Sequence, residues 1–155
     1  MFGASARKLA SILGCSIEEA EKRMAIFWAA NPGLRMLIDY LEKFYRKNKY
    51  IVGLDGRKLT IRGKHKLLNS LIQTAAGIIF KRWDLIATAE LHRVGLDCTP
   101  IIRMHDEIQY RCLDIDVEES CQVIVQSAAR AGEYYELKVP IGADCKVGSN
   151  WSQTH

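Results

Sequence analysis

The chain has 155 residues, of which 48% are hydrophobic and 26% are charged. This length and composition predict one globular domain with a buried core and exclude a disordered chain. The sequence has no run of 18 or more apolar residues, and its N-terminus lacks the apolar stretch of a secretory signal. We therefore expect a cytoplasmic protein without a membrane span.

The cysteines are five in number, widely scattered and never arranged as CxxC. An odd, irregular set of this kind favours reduced thiols, and it argues against both a disulfide framework and a zinc site. The residues concerned are Cys15, Cys98, Cys112, Cys121 and Cys145.

The N-terminal third is predicted to be helical. The run Ser16-Ile17-Glu18-Glu19 is a capping box that opens a helix reaching to about Ala30. The run Asn31-Pro32-Gly33 breaks this helix, and a second one is expected from about Leu34 to Lys47.

A basic segment follows, which we define as Arg46 to Lys66. It holds eight lysines and arginines against one acid, Asp55, so its net charge is +7 while the rest of the chain has −3. Tyr50–Leu54 and Lys58–Ile61 read as two strands joined at Asp55-Gly56, a pair typical of two-residue hairpin turns. Basic side chains on such a ribbon point to a polyanion, and a solvated run of charges is the alternative.

A long helix is then predicted from about Lys66 to Val94, ending at Gly95. Apolar residues nearly encircle its first half, so we expect this half to be buried on several sides. Asn69 and Gln73 interrupt it four residues apart and therefore on one face. Such amides either bond to nearby backbone or recognise the minor-groove acceptors of base pairs, which are similarly placed in A·T and G·C pairs.

The most informative stretch is Arg103 to Gln109, RMHDEIQ. The flanking runs Thr99–His105 and Ile108–Leu113 are rich in β-branched and aromatic residues, which predicts two strands with Asp106 and Glu107 at the tight turn between them. Adjacent carboxylates at a turn are ligands that Mg²⁺ prefers when it also binds substrate phosphates. The pattern therefore suggests phosphoryl transfer.

The chain is expected to end with a helix over about Val117–Gly132 and a strand around Val139–Val147. The order of helices, hairpin, helix, hairpin, helix and strand predicts an α+β fold in which an antiparallel sheet is backed by helices.

These residues carry a family resemblance. Met104 to Glu107 (MHDE) resembles motif C of the family A DNA polymerases, the group of bacterial DNA polymerase I and the phage replicative enzymes. Leu68–Gly77 is similar to the Asn-x-x-x-Gln-x-x-Ala helix of this family, and Leu54–Lys58 to its DGR hairpin. The ending from Gly148 to His155 and the segment Phe2–Leu9, which would follow the nucleotide-binding helix, resemble family blocks too. Five blocks in family order are far more specific than a lone HDE tripeptide.

The resemblance implies a chain made of the end of the fingers, residues 1–48, and a palm portion with a palm-type sheet, residues 49–155. It implies a two-metal Mg²⁺ site for template-directed nucleotidyl transfer in DNA replication, acting on primer-template DNA and dNTP. Asp106 would bind the metal, Glu107 would assist at its edge, and His105 would contact the primer terminus. Four further residues would face or bind the DNA, and Phe2 would lie beside the templating base; the four are Gln73, Asn69, Arg57 and Lys66.

The resemblance also implies that part of the site is missing. The family's motif A aspartate and its triphosphate-binding fingers helix would precede Met1, so we expect an N-terminal polymerase polypeptide to complete the site as a heteromer. The chain is then either one polypeptide of a split polymerase or a fragment, and Met1 directly before Phe2-Gly3, together with the family-like terminus at His155, favours a separately encoded subunit.

Two other classes of function compete with this interpretation. One is a non-catalytic DNA-binding remnant of a polymerase, which would use the basic segment and no metal. The other is a stand-alone His-Asp phosphohydrolase, for which the remaining histidines, His65, His92 and His155, offer no convincing set of ligands.

Overall fold

The computed structural model describes residues 5–154. They form six α-helices and two short antiparallel hairpins, so the fold is α+β as expected. The helices are α1 (Ala6–Leu13), α2 (Ile17–Ala30), α3 (Pro32–Asn48), α4 (Leu67–Val94), α5 (Val117–Tyr134) and α6 (Trp151–Thr154). The strands are β1 (Tyr50–Val52), β2 (Lys58–Thr60), β3 (Cys98–Met104) and β4 (Glu107–Cys112).

The helix boundaries follow local signals in the sequence. The Ser16 hydroxyl accepts a hydrogen bond from the Glu19 backbone N–H at 3.1 Å, which confirms the predicted cap of α2. Helix α4 ends where Gly95 takes a left-handed conformation with φ of 79°, as the predicted stop requires.

The chain divides into two compact units, one ending at Thr74 and the other beginning at Ala75. In the first unit, α3 and the β1–β2 hairpin bury a shared core, and the Tyr45 hydroxyl donates to the Ile61 carbonyl at 2.8 Å. The fully buried members of this core are Leu41, Ile51, Ile61 and Leu67. The units do not test the expected division into fingers and palm at residues 48 and 49, which stays a prediction.

In the second unit, α4, α5 and the β3–β4 hairpin surround another core. Trp83 of α4 donates its indole N–H to the Ile124 carbonyl of α5 at 2.8 Å, which joins the two helices. The buried members of this core are Ala87, Leu91, Cys98 and Ile124.

The expectation of a two-residue turn at Asp55-Gly56 is wrong. A two-residue hairpin turn needs a positive φ at its first residue. Gly56 has φ of 82°, but the φ of Asp55 is not positive, so the pair cannot form the predicted turn. The Gly56 N–H instead bonds the Gly53 carbonyl at 3.0 Å, and the Gly53 N–H bonds the Arg57 carbonyl at 2.8 Å, which gives a longer loop.

The strand expected around residues 139–147 is also absent, and the segment is irregular. A strand needs a partner for its N–H and C=O groups, and in the part of the chain that the structure describes β3 and β4 pair only with each other. Pro140 removes one donor in addition.

Two cysteines in this region also differ from expectation. Cys121 of α5 and Cys145 form a disulfide, with their Cα atoms 5.9 Å apart, whereas Cys15, Cys98 and Cys112 are free. The prediction of five reduced thiols is therefore wrong in this structure. The paired cysteines are 24 positions apart in the sequence, and the chain must fold back between them, which their spacing alone does not indicate.

No helix among residues 5–154 combines the length and the apolar character that a membrane span requires.

Candidate active site

The β3–β4 hairpin carries the His-Asp-Glu sequence at its tip. Met104 pairs with Glu107 in antiparallel register, so the turn consists of His105 and Asp106. His105 has φ of 53°, a left-handed conformation that two-residue hairpin turns require. Of the two acids predicted to lie in the turn, Asp106 does so, whereas Glu107 is the first residue of β4.

The hairpin contains an irregularity four residues before the turn. The register shifts between Pro100 and Ile102, so Ile101 is an extra residue in β3, and 60% of its surface is exposed. A bulge of this kind increases the local twist and bends the strand, which sets the direction in which the turn projects.

The two carboxylates have different surroundings. Asp106 is exposed at the tip, whereas Glu107 is half-buried and accepts a hydrogen bond from the Gln109 side-chain amide on the same strand. The side-chain amide oxygen of Gln109 in turn accepts a hydrogen bond from the Thr154 hydroxyl in α6 at 3.1 Å. The C-terminal helix is thus connected to Glu107 through one side chain.

The other side of β4 anchors the hairpin. Tyr110 and Cys112 pack on the second core, and burial raises the pKa of Tyr110 above its ordinary value of 10.0. Arg103 of β3 lies 2.6 Å from Asp84 of α4, and the hydrogen bond to this carboxylate raises the pKa of Arg103 above its ordinary value. The hairpin is therefore fixed to α4 by both apolar packing and an ion pair.

A cavity of about 700 Å³ opens beside the hairpin within the second unit. Its lining includes Asp106, Glu107 and Gln109 of the hairpin, residues 142–148, Thr154 and part of α5. The acids therefore border a space large enough for a small ligand or for the end of a polymer chain.

The site offers part of a metal-binding set. Asp106 and Glu107 supply hard oxygen ligands next to each other at the cavity edge, which fits Mg²⁺. Among residues 5–154, no group of three or more His, Cys, Asp or Glu side chains is placed to hold a metal ion. These two acids fit the predicted metal as an incomplete set of ligands.

Asn69 and Gln73 lie in the first two turns of α4, in the first unit. They are less buried than expected, since Asn69 is half-buried and Gln73 is exposed. Their side chains are therefore available for an external partner, and this part of the helix does not enclose them.

All eight lysines and arginines of the basic segment are exposed. Arg57 forms an ion pair with Asp55 at 2.5 Å, and its hydrogen bond lowers the pKa of that carboxyl. Lys66 ends a short 3-10 turn, Lys64–Lys66, directly before α4. Phe2 and His155, also singled out by the sequence, lie outside the described residues.

Sequence reasoning missed the Gln109–Thr154 contact and the Arg103–Asp84 pair. The sequence did indicate that Gln109 could contact Glu107. Gln109 follows Glu107 by two positions on a predicted strand, and residues two apart on a strand share a face. The sequence contained no signal for Thr154 or for Asp84. Thr154 is 45 positions from Gln109, and Asp84 is 19 positions from Arg103.

Comparisons with known proteins cover nearly the whole chain. Residues 1–153 match the family model of DNA polymerase family A. The DNA-directed DNA polymerase of Escherichia phage Phieco32 is 34% identical over 99% of this chain and 26% of its own length. That of Escherichia phage T7 is 27% identical over 100% of this chain and 25% of its own length. DNA polymerase I of Deinococcus radiodurans is 26% identical over 99% of this chain and 17% of its own length.

A solved structure has the same fold. The POL domain of Pol1 from M. smegmatis, in complex with DNA primer-template and dNTP, superposes with a TM-score of 0.79 over 90% of this chain and 26% of that one, at 24% identity. The α+β architecture is therefore that of a polymerase domain.

The chain belongs to DNA polymerase family A. It spans about a quarter or less of the relatives described above. The family assignment confirms the resemblance seen in the sequence.

Proposed function

We propose that this chain supplies the C-terminal part of a family A DNA-directed DNA polymerase, the end of the fingers and the palm portion with motif C. The supporting observation is the His105-Asp106 turn followed by Glu107, an exposed acidic tip beside a cavity in a chain that matches the family over residues 1–153. The expected division, with residues 1–48 in the fingers and 49–155 in the palm, is part of this proposal.

Asp106 and Glu107 have distinct proposed roles. Asp106 is a catalytic metal ligand, because its carboxylate is exposed at the tip, and Glu107 contributes a second oxygen from the start of β4. Two Mg²⁺ ions, when bound, lower the pKa of an attacking 3′-hydroxyl and neutralise charge on the phosphates. His105, the first residue of the turn, would contact the primer terminus.

The proposed site needs a further carboxylate from outside this chain. Two-metal phosphoryl transfer uses acids that bridge both ions, and residues 5–154 place no third ligand beside Asp106 and Glu107. An N-terminal polypeptide with motifs A and B, corresponding to the remaining length of the relatives, would supply it and would also bind the dNTP triphosphate.

Primer-template DNA is the proposed polyanion. Exposed lysines and arginines of the basic segment, Arg57 and Lys66 included, would bind phosphates irrespective of base sequence. Gln73 and Asn69 present amide groups on one face of α4, which suits contact with minor-groove acceptors near the new pair. Phe2 keeps its proposed position beside the templating base.

The test reconstitutes the enzyme from this chain and a polypeptide carrying motifs A and B. Mg²⁺-dependent nucleotide incorporation is expected from the mixture and not from either part alone. Asp106→Ala should abolish it while the two parts still associate, and Asp39→Ala, a change of an exposed aspartate of α3 that does not line the cavity, is the matched control that should keep it. Incorporation by the Asp106→Ala mixture would contradict the proposal.

A non-catalytic DNA-binding remnant is the second candidate, and the exposed basic segment favours it. It predicts that the mixture binds primer-template with unchanged affinity when Asp106 is replaced, and that no nucleotide is incorporated with the original Asp106 present. The same reconstitution therefore separates the two functions.

A further inference from the structure

Gln109 lies between the motif C glutamate and the C-terminal helix. Glu107 and Gln109 are two residues apart on β4 and share a face, and the Gln109 Nε2 group donates a hydrogen bond to Glu107 Oε1. On its other side, Gln109 Oε1 accepts a hydrogen bond from Thr154 Oγ1 at 3.1 Å. The Trp151 backbone carbonyl lies at the same distance from this hydroxyl, so Gln109 and Trp151 share its single proton. The three side chains form a continuous line of hydrogen bonds.

The chemistry of these groups fixes the direction of the line. An ionised carboxylate accepts hydrogen bonds and cannot donate, so the amide nitrogen of Gln109 must face Glu107. The amide oxygen then faces Thr154, whose hydroxyl can donate to it. The reversed amide would place its oxygen against the Glu107 carboxylate and lose this hydrogen bond.

The Thr154 end of the line is itself held in place. The Gln153 side-chain oxygen accepts from the Ser149 backbone N–H at 2.7 Å and from the Ser149 hydroxyl at 3.1 Å. The Ser152 hydroxyl donates to the Asn150 side-chain oxygen at 2.7 Å. These bonds connect α6 to the loop before it, so the Thr154 hydroxyl is presented at a defined point.

We propose that Gln109 and Thr154 are positioning residues that orient the Glu107 carboxylate. Gln109 restrains one carboxylate oxygen, and Thr154 restrains the rotation of the Gln109 amide. The role in catalysis rests on the proposed polymerase function, whereas the orientation of Glu107 does not. Groups that orient a metal ligand through hydrogen bonds typically change metal affinity or activity by about 10- to 100-fold when they are removed.

The first test measures incorporation by the reconstituted enzyme. Gln109→Met keeps the length of the side chain and removes the amide, and we expect kcat to fall by about tenfold while KM for dNTP changes little. Gln122→Met makes the same change at an exposed position of α5 and should leave both constants unaltered. Thr154→Val should lower kcat and Thr154→Ser should restore it, because serine retains the hydroxyl. Wild-type kcat in Gln109→Met would overturn the proposal.

A double-mutant cycle identifies the group through which Gln109 acts. If Gln109 acts by orienting Glu107, then Gln109→Met should cost nothing further in a Glu107→Ala background. The same fold-loss in both backgrounds would overturn positioning through Glu107, because it would show an effect that does not need this carboxylate.

A spectroscopic test needs no activity. The side-chain amide resonances of Gln109, followed by ¹H–¹⁵N NMR on the full chain, should shift in Glu107→Ala and in Thr154→Val and remain in place in Thr154→Ser. Shifts of this pattern support the orientation of Glu107 even if the reconstituted wild type incorporates no nucleotide, a result that would count against the polymerase proposal alone. Unchanged resonances in Thr154→Val and Glu107→Ala would overturn the hydrogen-bond line.

Discussion

Arg103 and Asp84 form an ion pair, with Arg103 Nε 2.6 Å from Asp84 Oδ2, and this pair joins the strand before the His105-Asp106 turn to the middle of α4. The Asp84 side chain is 14% exposed and that of Arg103 is 45% exposed. Solvent therefore screens the pair only in part.

Breaking this pair should lower the stability of the fold by a small amount. Asp84→Asn is expected to lower the free energy of unfolding by about 0.5 to 1 kcal/mol, with a smaller effect at high salt, because a partly exposed pair is screened. Urea unfolding at two salt concentrations measures this. Glu42→Gln, which removes the acid of the exposed Arg46–Glu42 pair, is the control and should cost less. An Asp84→Asn cost that does not depend on salt would contradict the electrostatic explanation.

The basic segment should bind DNA through phosphates. Replacing Arg62 and Lys64 by alanine is expected to weaken primer-template binding and to reduce the slope of log K against log salt by about 0.9 for each phosphate that these side chains neutralise. Fluorescence anisotropy over a salt series measures the slope. The double variant Lys22→Ala/Arg23→Ala removes the same charge from α2, where both side chains are paired with glutamates, and should leave the slope unchanged. An equal change in both variants would indicate a general charge effect.

Helices α2 to α5 could be predicted because their boundaries depend on nearby residues. The Ser16 cap and the Gly95 stop each act within one turn, so the chain reports them directly. The acidic hairpin was predictable for the same reason, since its strands and turn are contiguous in sequence.

The missed features depend on residues that are distant in the chain. The strand expected at 139–147 needs a neighbouring strand, and the described residues offer none to it. Thr154 reaches Gln109 across 45 residues, and Cys121 reaches Cys145 across 24. Periodicity and capping signals carry no information about such pairs. The two acids could be found in the sequence, whereas the groups that orient Glu107 required the fold.

The Cys121–Cys145 disulfide determines how many cysteine thiols are free to react. Of five cysteines, three should react with a thiol reagent in denaturant without reductant, and all five after reduction. Replacing Cys121 and Cys145 by serine should lower the free energy of unfolding by about 3 kcal/mol, the value expected from closing a loop of this length. Cys15→Ser is the control, which should lower the thiol count by one and keep the disulfide. Five reactive thiols before reduction would contradict the pairing.

Alkaline pH should destabilise the second unit. Burial, together with a hydrogen bond with Cys112, raises the pKa of the Cys98 thiol from 9.0 to about 12. The unfolded chain therefore loses this proton first, so stability is full below pH 9.0 and falls as the pH rises towards about 12. Tyr110, whose pKa burial raises above 10.0, adds to the fall in the upper part of this range.

Urea unfolding between pH 8 and 11 measures this dependence. Each titrating group adds a slope of up to about 1.4 kcal/mol per pH unit between its unfolded and folded pKa values. Cys98→Ala should flatten the curve, and Cys15→Ala, a half-buried cysteine of the first unit, is the control. A curve as steep in Cys98→Ala as in the original chain would contradict the assignment to Cys98.

Gly148 should be required for the position of α6. A Cβ atom at this residue would lie 2.5 Å from Gln153 Cβ and 2.9 Å from Gln153 Oε1, closer than atoms can approach. Gly148→Ala must therefore displace Gln153 and with it the first turn of α6. We expect a reduction of about 1 kcal/mol in the free energy of unfolding, because overpacking forces side chains off their rotamers.

The same substitution at Gly142 provides the matched control. Gly142 lies in the same irregular segment, its added Cβ would meet nothing within 4 Å, and its φ is not positive. Gly142→Ala should therefore change the stability by less than about 0.5 kcal/mol. If α6 holds Thr154 against Gln109, the Gln109 amide resonances should shift in Gly148→Ala and stay in place in Gly142→Ala. Equal shifts in both variants would show that the hydrogen bonds from Thr154 through Gln109 to Glu107 do not depend on the position of Gln153.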